Sequence, residues 1–169
     1  LINSGKLKKV MDESGNVIED WGVYGDWQNE IGDLNRTEGY KINVTEPVTL
    51  ELSGTSAQFP FNILLKAGWN IISWPSANEQ DGLDVFDVLR LEGKLKKVMD
   101  ESGFTIEDWG VYGGWINGIG SLASTEGYKI NVNSATTISV DGTTFLFPFN
   151  ILLKTGWYII SWPALNEQD

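Results

Sequence analysis

Three features of this sequence predict a mainly β fold, with an α+β arrangement as the alternative. The chain repeats itself at a fixed offset, most apolar residues fall in short runs between turn residues, and one segment alone has helical spacing. Short strands joined by turns pair as antiparallel neighbours. We therefore predict two tandem copies of a small antiparallel β barrel or sandwich module, with one short helix between them.

The repeat is the most specific of these features. Residues 5–81 and 93–169 align without a gap at an offset of 88, and 54 of the 77 aligned pairs are identical. The predicted organisation is a first module at 1–81, an inter-repeat helical segment at 82–92 and a second module at 93–169. Because both ends fall at one phase of the period, we expect the chain to be cut from a longer array.

Turn residues divide each copy into short β-forming runs. Residues 7–12 and 17–21 flank a polar turn that contains glycine, which predicts a hairpin. Residues 61–66 and 69–74 are expected to form another pair around a glycine corner, and residues 28–34 one helical or 3₁₀ turn. Further strands are expected at 40–44 and 48–52.

Residues 83–91 have the spacing of a helix, with Leu83, Phe86 and Leu89 on its apolar side. Asp81 or Asp84 is expected to cap its first turn, where a carboxylate accepts free backbone N–H groups. Two modules share this one complete helical segment. One module is therefore expected to expose a matching apolar groove, which favours association of the chain.

The composition excludes several classes of site. A formal net charge of -11 argues against nucleic acid and anionic membrane surfaces as partners. Since the chain has neither Cys nor His, disulfides, transition-metal sites and a Ser-His-Asp triad are excluded. No apolar stretch is long enough for a membrane span. We predict no cofactor, and calcium, held by carboxylates, is the one metal left open.

Tryptophan is costly to expose, so the interior is its expected place. This predicts that Trp69 and Trp157 lie in the core, each in a strand that follows a glycine turn. Trp74 and Trp162, which precede proline at strand ends, are expected to be core residues as well.

A cluster of aromatic residues beside carboxylates predicts a duplicated ligand site. The rings lie in glycine-spaced segments that have the composition of loops, and aromatic faces beside polar acceptors suit sugar rings. The alternative is that these rings plug one open end of a barrel. The predicted site residues are Trp21, Tyr24, Trp27 and Asp20 in the first copy, and Trp109, Tyr112, Trp115 and Asp108 in the second.

GWNIISWP at 68–75 and TEGYKI at 37–42 each recur in the second copy, at 156–163 and 125–130. The two motifs resemble the signature strands of a repeat found in large secreted and surface-attached bacterial proteins. The second copy departs from the pattern at Tyr158, where the motif has Asn. The resemblance implies an extracellular or cell-surface accessory module without catalytic residues.

These observations favour a noncatalytic extracellular tandem-repeat module that binds carbohydrate, or that spaces and displays other domains. Its expected partners are a polysaccharide or glycan and neighbouring repeats of the parent protein. Two alternatives stay open. A fragment of a glycan-active enzyme would hold two carboxylates about 5–10 Å apart in a cleft, and a self-association module would expose a large apolar patch.

Overall fold

The computed structural model describes residues 1–164 and confirms a mainly β chain. Two short helices, α1 (Gly82–Val85) and α2 (Asp87–Leu91), lie between the eighth and ninth strands. The strands are β1 (Leu7–Met11), β2 (Val17–Asp20), β3 (Trp27–Asn29), β4 (Gly39–Val44), β5 (Val48–Leu52), β6 (Phe61–Leu65), β7 (Gly68–Ser73), β8 (Gln80–Asp81), β9 (Leu95–Met99), β10 (Thr105–Asp108), β11 (Trp115–Asn117), β12 (Ser121–Leu122), β13 (Gly127–Val132), β14 (Thr136–Val140), β15 (Phe149–Leu153) and β16 (Gly156–Ser161).

The strands of the two copies recur at the sequence offset. The bounds of β1 to β7 reappear 88 residues later in β9 to β11 and β13 to β16. The predicted hairpin is confirmed, since β1 and β2 are antiparallel neighbours with Lys9 opposite Glu19. The helical turn predicted at 28–34 is wrong, because residues 27–29 form β3 and pair with β2.

The two copies exchange strands. One five-stranded sheet has the order β16-β4-β1-β2-β3 and the other β11-β10-β9-β13-β7, so each receives its last strand from the other copy. The predicted pairing of 61–66 with 69–74 is wrong: β6 pairs with β14, and β7 pairs with β13. We define half one as residues 1–52 and 149–164, and half two as residues 61–140.

Each half is an open sheet packed on a two-stranded ribbon. In half two the apolar face of the sheet packs on the β6–β14 ribbon, through Ile63 and Ile138 among others. In half one the equivalent ribbon is β5–β15, with Leu52 and Ile151 in the core. Among the described residues no sheet closes into a barrel, so the sandwich alternative describes each half.

The helical segment covers half two alone. Of the two predicted caps, Asp81 and Asp84, it is Asp81 that caps α1: its Oδ1 accepts the backbone N–H of Leu83 at 2.8 Å and that of Asp84 at 3.4 Å. The segment breaks at Phe86 into two helices. Phe86 and Leu89 are fully buried in the core of half two.

The halves meet at a tightly packed seam. Ser73 and Ser161, which are equivalent residues, touch through their hydroxyl oxygens at 2.5 Å. Gly39 and Gly127 allow the close approach of backbones there, because a Cβ on Gly39 would lie 2.6 Å from the carbonyl oxygen of Ile72. The equivalent atom on Gly127 would lie 2.9 Å from the carbonyl oxygen of Ile160.

Glutamates cover the outer edges of the exchanged strands. Glu13, in the β1–β2 turn, accepts the backbone N–H of Ile71 in β7 at 3.0 Å. Its equivalent Glu101 accepts that of Ile159 in β16 at 2.9 Å. A turn of each half thus satisfies edge donors of the other half, which blunts these edges against further strand pairing.

Candidate functional site

The predicted aromatic clusters lie at the tips of two equivalent hairpins. In the first, Asp20 in β2 stands opposite Trp27 in β3, and a 3₁₀ turn at Gly22–Tyr24 joins the two strands. In the second, β10 and β11 are joined in the same way by the turn at Gly110–Tyr112. We call these two turns with their flanking residues 20–25 and 108–114 the hairpin tips.

Local hydrogen bonds fix the shape of each tip. Asp20 Oδ1 accepts the backbone N–H of Gly22 at 2.8 Å, and Asp108 Oδ1 accepts that of Gly110 at the same distance. Gly22 and Gly110 have φ angles of 57° and 56°, a backbone region that favours glycine. The aspartates therefore shape the turn that presents the rings.

The tips expose their aromatic rings to solvent. Trp21 and Tyr24 are 46% and 89% exposed, and Trp109 and Tyr112 are 55% and 88% exposed. For these four rings the alternative in which they plug the end of a barrel is wrong, because none of the four is buried. Exposure on this scale in both copies is unusual for tryptophan, which normally buries most of its surface.

The third ring of each predicted cluster is separated from the other two by burial. Trp27 is partly buried and packs against the core of half one, and Trp115 does the same in half two. Their indoles therefore belong to the interior side of the hairpins. The structure joins Asp20, Trp21 and Tyr24 in one tip, and places Trp27 beside the core.

A second aromatic surface lies on the sheets. Trp69 and Trp157, predicted to be core residues, are 52% and 50% exposed, so that prediction is wrong. Trp74 and Trp162 are buried, as predicted. Trp69 lies within β7, whereas Trp74 directly follows its last residue, Ser73. Positions 69 and 74 have opposite parity, and side chains of opposite parity point to opposite faces of extended chain.

A small recess opens beside Trp69. It has a volume of about 330 Å³, and its wall includes Glu13, Lys41, Met99 and Lys129. Burial, and then the positive charge of Lys129, lowers the pKa of Lys41 below its ordinary value. Sequence reasoning missed this recess because its residues come from both copies and meet only after strand exchange.

The carboxylates beside the first hairpin are engaged separately. Asp12 accepts the backbone N–H of Asn16 at 2.8 Å, and Glu19 pairs with Lys9 at 2.8 Å. Glu13 accepts from Ile71 and pairs with Lys66 at 3.2 Å. In the part of the chain that the structure describes, no three carboxylates are grouped to hold a metal ion.

A larger cavity opens on the apolar side of half one, where half two carries its helices. Its volume is about 830 Å³, and its wall includes Leu7, Leu34, Tyr40 and Leu50, with Trp27 at one side. We call this cavity the groove. Glu51 is the one carboxylate among its lining residues.

No protein-family model, curated protein or solved structure matches this chain. Among residues 1–164, no helix is long and apolar enough to cross a membrane.

Proposed function

We propose that this protein is a noncatalytic extracellular tandem-repeat module that binds carbohydrate through its two hairpin tips. The observation that carries the proposal is the duplicated exposure of Trp21 with Tyr24 and of Trp109 with Tyr112. Sugar rings stack their C–H faces on such rings, and small-molecule sites pair an apolar wall with a few polar groups.

The held geometry of the tips supports this function. The Asp20 and Asp108 hydrogen bonds fix the turn backbone before any ligand arrives, so less conformational entropy is lost when a ligand binds. Two equivalent tips in one chain also suit a polymeric ligand. When both tips bind the same polysaccharide molecule, the avidity exceeds the affinity of either tip alone.

Paired substitutions test the proposal. Trp21→Ala with Trp109→Ala should weaken polysaccharide retention in affinity electrophoresis by at least about tenfold, the equivalent of ~1.4 kcal/mol. The matched control is Trp69→Ala with Trp157→Ala, which removes two equally exposed indoles elsewhere and should leave retention unchanged. Loss of binding in the control pair alone would place the ligand at the sheet surface and overturn the tip proposal.

The two tips are expected to differ in affinity. Asp26 and Gln28 of the first copy are replaced by Gly114 and Ile116 in the second, which changes the polar groups beside the rings. The single variants Trp21→Ala and Trp109→Ala should therefore weaken binding by unequal factors in titration calorimetry.

The alternative functions predict other outcomes of the same screen. A spacer or display module would bind no glycan in any variant or in the unsubstituted chain. A glycan-active fragment would release shorter products from the polysaccharide. The groove and the recess of this protein each have one carboxylate in their walls. Because glycoside hydrolysis needs a pair of carboxylates, this favours binding over hydrolysis.

A further inference from the structure

We infer that the groove of half one is a docking site for an amphipathic helical segment of the sequence type found at residues 82–92, which in half two forms α1 and α2. The inference goes beyond the proposed function, because it concerns another surface and another class of partner. It rests on a comparison of the groove with the same place in half two.

The walls of the two places are built from equivalent residues. Each wall residue of half two belongs to the core cluster that also contains Phe86 and Leu89. The half-one residues are Leu7, Val10, Leu34, Tyr40, Ile42 and Leu52, and their counterparts in half two are Leu95, Val98, Leu122, Tyr128, Ile130 and Val140.

Burial shows that half one lacks a cover at this place among its described residues. Ile106 and Leu122 are completely buried in half two, whereas their equivalents Ile18 and Leu34 remain partly exposed in half one. The composition of the wall does not explain the difference, since each pair consists of identical residues.

The path of the chain also leads into the groove. Residues 1–5 repeat the hydrogen bonds that end α2: Lys6 N donates to Leu1 O as Lys94 N donates to Leu89 O. Gly5 and Gly93 have φ angles of 68° and 65°. Leu1, the counterpart of Leu89, lies in the groove wall. A helix that runs into Leu1 would therefore place its Phe and Leu against the uncovered residues.

The phase of the repeat identifies the segment that half two contains and half one does not. Half one contains equivalents of residues 61–76 and 89–140, and residues 165–169 are equivalent to 77–81. Residues 82–88, with the sequence GLDVFDV, have no equivalent. Apolar helix faces recognise such grooves through residues three and four apart, as Phe86 and Leu89 do in half two.

An extended chain tests the inference. GLDVFDV is added before Leu1, and the control carries GLDVSDV, which keeps the length and charge but removes the aromatic ring. The first extension should slow hydrogen exchange of the β5 and β15 amides at least tenfold relative to the unextended chain, and the control should not. The same two sequences, continued through LRLE, are also tested as free peptides. The peptide with Phe should bind the chain more tightly than the peptide with Ser, as measured by quenching or a shift of tryptophan fluorescence.

Three outcomes would overturn the inference. Equal protection by both extensions would show that the aromatic ring finds no place in the groove. Unchanged exchange in both would show that the groove does not accept this helix. A concentration-dependent dimer of the unextended chain, persisting after GLDVFDV is added, would assign the surface to a second copy instead.

Discussion

Half one and half two share the five-stranded sheet, the ribbon and equivalent cores, but among the described residues half two alone carries α-helices and the short β8–β12 pair. In half two, Phe86 and Leu89 seal the space that half one leaves as a groove of about 830 Å³. The comparison teaches that sheet and ribbon define the half, and that the helix acts as a cover.

Phe86 and Leu89, which cover half two, should therefore contribute far more to the free energy of unfolding than Leu1, the counterpart of Leu89 in half one. Phe86→Ala should lower the free energy of unfolding by about 3–5 kcal/mol, and Leu89→Ala by about 2–5 kcal/mol, because each leaves a cavity in a filled core. Leu1→Ala, the matched change in the open groove, should cost less than about 1 kcal/mol. Urea denaturation followed by tryptophan fluorescence measures all three. Equal costs at Leu1 and Leu89 would mean that the two halves are covered alike.

The seam between the halves offers a second test. Ser161 Oγ donates to Trp74 O at 2.9 Å, which leaves Ser73 to donate to Ser161, and Trp162 N donates to Ser73 Oγ at 3.0 Å. Ser73→Ala strands the buried N–H of Trp162 and should cost about 1–3 kcal/mol. Thr137→Ala, on the β14 ladder outside the seam, is the control for a lost hydroxyl and should cost less. If Ser73→Ala is as stable as the wild type, these hydrogen bonds do not stabilise the seam.

Protonation of Glu101 should make the stability of the chain depend on pH. Burial raises the pKa of Glu101 above its ordinary value of 4.5, with the Ile159 hydrogen bond opposing the rise. The folded chain then holds this proton more tightly than the unfolded chain, so the free energy of unfolding falls as pH increases through the interval just above 4.5.

Glu101→Gln removes that slope while its amide oxygen still accepts from Ile159, and we expect a change below about 1 kcal/mol at neutral pH. Denaturation midpoints measured from pH 4 to 7 compare it with the wild type, with Glu13→Gln as the equivalent change in the other turn. An unchanged pH slope in Glu101→Gln would contradict the expected role of this carboxyl.

The exposed indoles should contribute least to stability. Trp69→Ala and Trp21→Ala should each change the free energy of unfolding by less than about 0.5 kcal/mol, since surface side chains rarely matter more. Trp74→Ala, at a buried position, should cost about 3–5 kcal/mol. Thermal melts of the three variants check the order. A large loss in Trp21→Ala would make the tip ring a structural residue and weaken the binding proposal.

Much of the local structure follows from the sequence. The glycine turn at 13–16 predicts the first hairpin, Asp81 predicts the start of the helix, and the runs at 40–44 and 48–52 predict β4 and β5 within one residue. These features depend on residues close together in the chain, where turn geometry and capping act directly.

The wrong predictions concern burial and strand pairing, which depend on contacts between residues far apart in the sequence. The size of Trp69 predicts an inward position, yet Asn70 takes the inward face, where its side chain bonds Lys66 N and O, each at 2.9 Å. The parity of Trp69 and Trp74 was the available signal. The sequence contains no signal for strand exchange. Because β7 and β16 differ only at Asn70 against Tyr158, β4 could pair almost equally well with either strand.

For the hairpin tips, the sequence predicts the residues but not their division. The glycine spacing marks Trp21 and Tyr24 as loop residues, and both are exposed. Trp27 falls in β3, where ladder pairing with Asp20 turns its ring toward the core of half one. That orientation depends on strand register, which spacing alone does not determine.

Strand exchange is the central claim, and disulfide trapping tests it most directly. The chain has no Cys, and Trp69 stands opposite Asn131 while Trp157 stands opposite Asn43. Cysteines placed in directly opposed strand positions are close enough to oxidise. In dilute monomer, Trp69→Cys with Asn131→Cys, and Trp157→Cys with Asn43→Cys, should form disulfides in high yield. Trp69→Cys with Asn43→Cys should stay reduced; its rapid oxidation, with the exchanged pairs left as thiols, would show that each copy keeps its own strand.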